Sequence, residues 1–373
     1  MHRRTLLQTL GLGSLGLGLS GFSFNENSSI EDQEKIYRLL YNENPDGPSK
    51  LVKKMIQRNL DRSNRYATFH LYDFMALKQR IAKAEGLQVE NVMLGHGSFE
   101  PLTQLAVHFG AEGGEIIVPS PTFDVVGAIA RQIGGKVKAI EVNQNLDFDL
   151  AQMEGSISPN TKLLTLCNPN NPTGKFIEKE KLLDFCSAIN NRCPLMIDEA
   201  YIQYLPNWRM RTLAPLIAQE QNVFITRTFS KIYGMAGLRI GYLLGPADAI
   251  QQLEKKFTMG FPGNMPNGLS VAAAIGALED EDFISTSRQR NAVRKALIYD
   301  AFKAHAIEFL RSDTNFIYFQ VGDFPSFKQH MRRKGILLAG GWPSKAQWAR
   351  VTMGSEKELE HFVNQLDGKP WLK

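Results

Sequence analysis

Cysteine is scarce. The 373 residues hold three, Cys167, Cys186 and Cys193. No CxxC pair occurs among them, which excludes a disulfide framework and offers no zinc-ligand spacing. Charge of one sign is missing too: 43 Lys and Arg against 38 Asp and Glu leave a formal charge of +5. Without a long basic run, nothing points to nucleic acid as a partner. Beyond residue 24 no apolar run approaches the roughly 18 residues of a spanning helix, so no membrane span is expected there. What is present is an ordinary globular balance, 43% apolar and 22% charged, which argues against disorder. At roughly 150 residues per domain the length fits two domains or one large α/β unit. A chain of this size can bury a core without staples.

Residues 1–24 stand apart. Arg3-Arg4 precedes an uncharged stretch, Thr5 to Phe24, in which leucines alternate with Gly11, Gly13, Gly16 and Gly18. A short basic region before a weakly apolar one is the layout of an export signal, and paired arginines are its twin-arginine variant. The glycines count against a stable helix, each costing about 1 kcal/mol relative to Ala. Periplasmic or envelope localisation is the expectation; the alternative is a floppy arm on a cytoplasmic protein. Gly11 to Gly16 also spells G-x-G-x-x-G, but a dinucleotide fingerprint needs a strand before it, and too little chain precedes this one.

From Asn91 onward, short apolar runs alternate with stretches of helical period. Strands are expected at Val92 to Leu94, Glu115 to Val118, Val137 to Val142, Leu163 to Leu166, Leu195 to Ile197, Val223 to Thr226 and Ile240 to Leu244. Helices are expected between most of them, as at Leu102 to Phe109, Asp124 to Ile133 and Lys179 to Asn190. This is the pattern of an α/β fold with a mostly parallel seven-stranded sheet between helices. Functional residues then belong just past the carboxyl ends of the strands. After Pro266 the alternation stops and a smaller α+β unit is expected. The division reads as 25–50 joining the small unit, 51–267 forming the large domain, and 268–373 the small C-terminal domain.

Four punctuated segments follow expected strands. Gly95-His96-Gly97-Ser98-Phe99-Glu100 lies between a strand and a helix, where glycines let backbone approach a ligand and helix amides favour phosphate. Asn168-Pro169-Asn170-Asn171-Pro172-Thr173-Gly174 is a run of turn residues after a buried strand. Asp198-Glu199-Ala200-Tyr201 puts an acid at a buried strand end, which is costly unless it meets a cation or a hydrogen bond. Arg227-Thr228-Phe229-Ser230-Lys231 is followed by Gly237-Leu238-Arg239-Ile240-Gly241. A lysine at the mouth of a sheet, near an acid and a phosphate cradle, is suited to forming a Schiff base. Alone, the first segment reads as an ordinary turn, the second as an ordinary loop, and Lys231 as a solvated surface lysine.

In this order the segments resemble the fold-type I pyridoxal-phosphate enzymes, and most nearly the histidinol-phosphate aminotransferase-like branch of the class I/II aminotransferases. Asn42 to Ser49, Arg65-Tyr66 and Ser312 to Phe316 are similar to segments of that branch, so the likeness runs from about Tyr41 to Leu366. It implies a PLP-dependent aminotransferase that moves an amino group from a small-molecule donor to a 2-oxo acid. It implies that Lys231 binds the cofactor covalently and shuttles the proton, and that Asp198 sits against the pyridine nitrogen and makes the ring an electron sink. Asn171 and Tyr201 would bond the phenolic oxygen, and Phe123 would stack on the ring. Backbone amides at Gly97, Ser98 and Phe99, with Ser230 and Arg239, would hold the phosphate. In a homodimer, Tyr66 would reach the neighbouring active site. Arg350 would clamp the substrate carboxylate, with Tyr41 and Asn171 beside it.

Two departures stand out. Ala339 occupies the place where the branch carries an arginine for the substrate phosphate, and Ala67-Thr68 replace a Pro-Asp. The first weakens the case for histidinol phosphate, because a dianion needs charge-assisted donors. A free α-amino acid is the expected donor, with an apolar or aromatic side chain compatible with Phe123, Tyr41 and Trp342. A decarboxylase of the same fold shares every cofactor residue. A non-catalytic module of a DNA-binding regulator is disfavoured, because the chain before Tyr41 is too short for a helix-turn-helix domain.

Overall fold

The computed structural model describes residues 36–66, 71–189, 192–219, 221–258, 265–368 and 371. The twin-arginine segment lies outside them. In chain order the elements are β1 (Tyr37–Leu39), α1 (Lys50–Asn59), α2 (Leu71–Glu85), β2 (Val92–Gly95), α3 (Phe99–Gly110), β3 (Glu115–Ser120), α4 (Val125–Gln132), β4 (Lys136–Glu141), α5 (Leu150–Gly155), β5 (Thr161–Cys167) and α6 (Lys179–Ile189). They continue with β6 (Leu195–Asp198), β7 (Val223–Thr228), β8 (Gly241–Leu244), α7 (Ala247–Thr258), α8 (Gly268–Leu278), α9 (Glu281–Ala304), β9 (Phe316–Gln320), α10 (Phe324–Arg333), β10 (Ile336–Trp342), β11 (Lys345–Thr352) and α11 (Glu356–Val363).

All seven expected strands join one sheet in the order β2-β8-β7-β6-β5-β3-β4. Only β8 runs against its neighbours. Both faces are buried, so the strands read as continuous apolar runs rather than alternating ones. Met93, Val118, Leu163 and Phe224 pack on one side with α3, α4 and α7. Val92, Leu94, Ile117, Leu164 and Ile225 pack on the other. Helix α8 belongs to that second core through Val271, Ala273, Ala274 and Ala277. The expected boundary at 267 therefore marks the end of the β/α alternation, not the end of the large core. An alanine-rich helix, apolar all round, is made for burial on all sides.

A four-stranded sheet, β1-β10-β11-β9, forms the smaller unit. Its N-terminal strand pairs in parallel, with Tyr37 opposite Ile336. Ile317, Phe319, Leu338, Ala349 and Val351 face α9, α10 and α11 in a separate core. Period-two alternation sends their neighbours Phe316, Tyr318, Trp348, Arg350 and Thr352 the other way. That second face turns towards the large unit: Phe316 sits in its core, and Tyr318 and Trp348 pack with Val142 and Leu146. The space between this face and the strand ends of the large sheet is where the punctuated loops meet.

Candidate active site

One end of the site is built to take an anion. The chain leaves β2 and enters α3 through Gly97, whose φ is +72°. A Cβ there would run into the Arg239 guanidinium, so only glycine fits both the turn and the approach. Ser98 provides no side-chain cap to α3, leaving first-turn amides, from Phe99 on, for another acceptor. Arg239 Nη1 donates to Ser230 Oγ at 3.3 Å and to Ala236 O at 2.9 Å. Thr228 Oγ1 donates to Ser230 Oγ at 2.8 Å. The nearby Glu100 is taken up by His96, whose backbone N–H lies 2.7 Å from Oε2. A cation, two hydroxyls and helix amides converging here fit a phosphate group.

The other end is built around Asp198, buried at the end of β6. Its Oδ1 accepts from Thr226 Oγ1 at 2.9 Å and from Ala200 N at 3.2 Å. Burial pushes the carboxyl up to about 6, against the opposing pull of both hydrogen bonds and of Lys231. Lys231 is half-buried and donates to Tyr41 O at 2.8 Å. Its ammonium lies 5.8 Å from the Tyr201 ring centroid. Burial, and then the Arg350 guanidinium, bring the amine down to about 8. An amine so tuned is neutral often enough near pH 7 to act as nucleophile and base.

Arg350 closes the site from β11. It donates through Nη1 to Asn171 Oδ1 and through Nη2 to Leu40 O, and its buried Nε has no partner. Phe316 and Trp342 flank the guanidinium at 5.2 and 5.8 Å. Burial lowers it to about 10, so it stays protonated at neutral pH. Every one of these hydrogen-bond partners is neutral. Arg350 lies opposite Ala339 on β10 and Tyr318 on β9, so the three share one face. The loop carrying Asn171 is tied to the loop after β3, since Asn170 Nδ2 donates to Pro121 O at 3.1 Å and Thr122 Oγ1 donates to Asn170 Oδ1 at 2.9 Å.

Gly97, Ser98, Phe99, Asn171, Asp198, Tyr201, Ser230, Lys231, Arg239 and Arg350 thus lie on loops, strand ends and the first turn of α3 around one space. Phe123 follows β3 and packs partly into the core beside α3 and α4. One placement differs from expectation. Tyr41 meets Lys231 through its backbone carbonyl, while the residue as a whole is 40% exposed. Tyr66 is 83% exposed, and no described contact joins it to the site within this chain. Sequence reasoning missed Thr226, Thr228 and Asn42, which bond Asp198, Ser230 and Tyr201 respectively. The signal for the threonines was their alternation on a strand that runs to Thr228, two residues past the expected end.

Between the threonines, Arg227 points to the opposite face and is fully buried. Nε donates to Glu199 Oε2 at 2.9 Å, Nη2 to Thr212 Oγ1 at 2.7 Å, and Nη1 to Glu85 Oε1. The Trp208 ring lies 4.8 Å from its guanidinium carbon. Among the described residues no group of three or more metal-binding side chains occurs, and no helix is long and apolar enough to cross a membrane.

The family model for aminotransferase class I and II matches residues 34–366. The chain is 34% identical to a histidinol-phosphate aminotransferase of Moorella thermoacetica over 339 residues, covering 89% of this chain and 84% of that protein. A histidinol-phosphate aminotransferase 1 of Dechloromonas aromatica is 31% identical, with 90% of each chain covered. The structure of the histidinol-phosphate aminotransferase from Sinorhizobium meliloti in complex with pyridoxal-5'-phosphate superposes with a TM-score of 0.81 at 25% identity, covering 92% of this chain and 94% of that one.

Proposed function

The chain belongs to the aminotransferase class I and II family, and from that premise we propose that it moves an amino group from a free α-amino acid to a 2-oxo acid. It is a pyridoxal-phosphate-dependent enzyme, and the cofactor supplies an electron sink for the bond broken at the donor's α-carbon. The residues present fit that group. Arg239, Ser230 and the amides around Gly97, Ser98 and Phe99 would hold its phosphate, and Asp198 its ring nitrogen. Phe123 would lie against the ring. Lys231 would bind it covalently and, when released, carry the proton at its Nζ. Asn171 Oδ1 is taken by Arg350, so its NH2 group is left to donate to the phenolic oxygen alongside the Tyr201 hydroxyl.

The observation that carries the choice of donor is the row Ala339, Arg350, Tyr318 on one sheet face. It presents one buried guanidinium with neutral hydrogen-bond partners, enough for a monoanionic carboxylate, with Ala339 and Tyr318 rather than a second cation as its cross-strand neighbours and with Trp342 and Phe316 as walls. Histidinol phosphate, the substrate in the relatives' names, is the second reading, favoured by 34% identity over most of both chains. The test is a donor panel followed through the absorbance of the bound cofactor, with product analysis. Free apolar or aromatic α-amino acids should react with higher kcat/KM than histidinol phosphate and yield 2-oxo acids without carbon dioxide. The reverse ranking would establish the second reading.

Two further expectations complete the proposal. Tyr66, exposed here, would enter the neighbouring active site of a homodimer. Sedimentation, and loss of cofactor affinity in Tyr66→Phe, test this. Arg3-Arg4 and the uncharged stretch after them support twin-arginine export of the folded, loaded enzyme to the periplasm or envelope. Fractionation of cells carrying wild type or Arg3→Lys/Arg4→Lys decides it.

A further inference from the structure

A hydroxyl that donates its only hydrogen to one partner can still accept from another. Tyr201 does so from an unforeseen direction: its oxygen accepts from Asn42 Nδ2 at 2.8 Å. Asn42 follows β1, is 2% exposed, and has a φ of +56°. Asn is one of the few residues other than glycine that take this left-handed conformation readily. Thr352 fixes the orientation of the Asn42 amide. Thr352 Oγ1 accepts from the Asn42 backbone N–H at 3.0 Å, so its own hydrogen goes to Asn42 Oδ1, also at 3.0 Å. With Oδ1 serving as that acceptor, the NH2 group is the one that faces Tyr201. Asn315 Nδ2 grips the same turn, donating to Asn42 O at 3.0 Å and Glu43 O at 3.3 Å. Thr352 ends β11 and Asn315 precedes β9, so both belong to the small sheet. Tyr201 follows β6 of the large one.

We infer that Asn42 is a positioning residue for the Tyr201 hydroxyl. Held by the small sheet, it fills one acceptor position of the phenolic oxygen and leaves the Tyr201 proton aimed at the cofactor's own phenolic oxygen. A turn that needed only a positive φ would be served by glycine without strain. The side chain is what the geometry uses. The inference rests on the reading of Tyr201 given above.

The test uses the holoenzyme and the pH titration of the bound cofactor's visible absorption. Asn42→Gly keeps the turn and the backbone bond to Thr352 and removes only the amide. Losing a donor to the phenolic oxygen makes the bound cofactor more basic, so Tyr201→Phe should raise the titration midpoint. Asn42→Gly should raise it less, by about half a pH unit, and should add nothing in the Tyr201→Phe background. Asn42→Asp keeps the acceptor for Thr352 but turns a carboxylate on Tyr201. That carboxylate draws the proton away from the cofactor, so this variant should approach Tyr201→Phe and serves if the glycine variant folds poorly. A shifted Tyr201→Phe with Asn42→Gly and Asn42→Asp at the wild-type midpoint overturns this inference alone. A Tyr201→Phe midpoint equal to wild type overturns the reading of Tyr201 and this inference with it.

Discussion

Replacing Asp198 by Asn should stabilise the protein without its cofactor while removing most of kcat. The Asn carbonyl oxygen can keep both hydrogen bonds that Oδ1 accepts, from Thr226 and Ala200. What disappears is a buried negative charge. Folding raises the Asp198 pKa from 3.8 to about 6, and each pKa unit is worth about 1.4 kcal/mol, so the ionised carboxylate costs the folded apoprotein about 3 kcal/mol. A folded pKa above the unfolded one means that folding takes up a proton. Wild-type stability should therefore fall as pH rises from about 4 to about 6 and stay lower above that. Urea unfolding of apoprotein should show no advantage for the Asn variant at pH 4 and an advantage approaching 3 kcal/mol at pH 7.5. Lys231 holds the Asp198 value down to about 6, so this figure already contains their attraction. In a Lys231→Ala background the advantage of the Asn variant at pH 7.5 should be larger. An Asn variant no more stable than wild type at pH 7.5, or a difference that ignores pH, would sink the reasoning.

Arg350→Lys keeps the charge but loses the fork, so kcat/KM for amino-acid donors should fall about 10- to 150-fold, the equivalent of 1.5–3 kcal/mol, with cofactor affinity within about threefold; unchanged kcat/KM places the carboxylate elsewhere. Gly97→Ala meets both a φ of +72° and the Arg239 guanidinium, so cofactor dissociation measured by dialysis should rise tenfold or more, and wild-type retention would exclude this turn from the phosphate cradle. Covalent capture of added cofactor by apoprotein needs the neutral Lys231 amine. Because burial brings that amine to about 8, the rate in stopped-flow absorbance should climb about tenfold per pH unit below 8 and level off above it; a flat profile from pH 6 to 9 would count against Lys231 as the nucleophile.

The large sheet was legible because its buried strands are apolar runs such as Ile116 to Val118, cut by glycine and proline and separated by helical stretches. Elements that exist only by partnership were not. Tyr37-Arg38-Leu39 carries no pattern and is a strand because Ile336 to Leu338 pairs with it. In the hairpin of β10 and β11, Ile336 to Leu338 and Ala349 to Met353 read as strands from sequence, but the continuation of β10 through Gly340 and Gly341 does not, because glycines look like breakers. A Cβ at Gly340 would collide with the Phe324 ring, so the glycine is what lets the strand continue. The site divides the same way. Residues directly after strands, Asp198 and Lys231 among them, could be placed from local sequence. Asn42 and Thr352 stand 310 residues apart, and no local signal joins them. The burial of Arg227 was not legible either, because it depends on carboxylates contributed from distant segments.

That arginine has a consequence for how the chain assembles. β7 lies inside the large sheet, where side chains alternate between the faces, so a slip of one residue would exchange the two sides wholesale. Arg227 would swing to the catalytic edge, Thr226 and Thr228 would lose Asp198 and Ser230, and Glu199 and Glu85 would be left buried without their cation. Stranding a buried partner in this way costs about 3–5 kcal/mol, comparable to much of a protein's net stability of about 5–15 kcal/mol. Apolar runs such as Val223 to Ile225 would tolerate the slip far better, since both faces of this sheet are greasy. The buried ion pair therefore proofreads strand alignment, and the same event that seats Arg227 lines up both ends of the cofactor site.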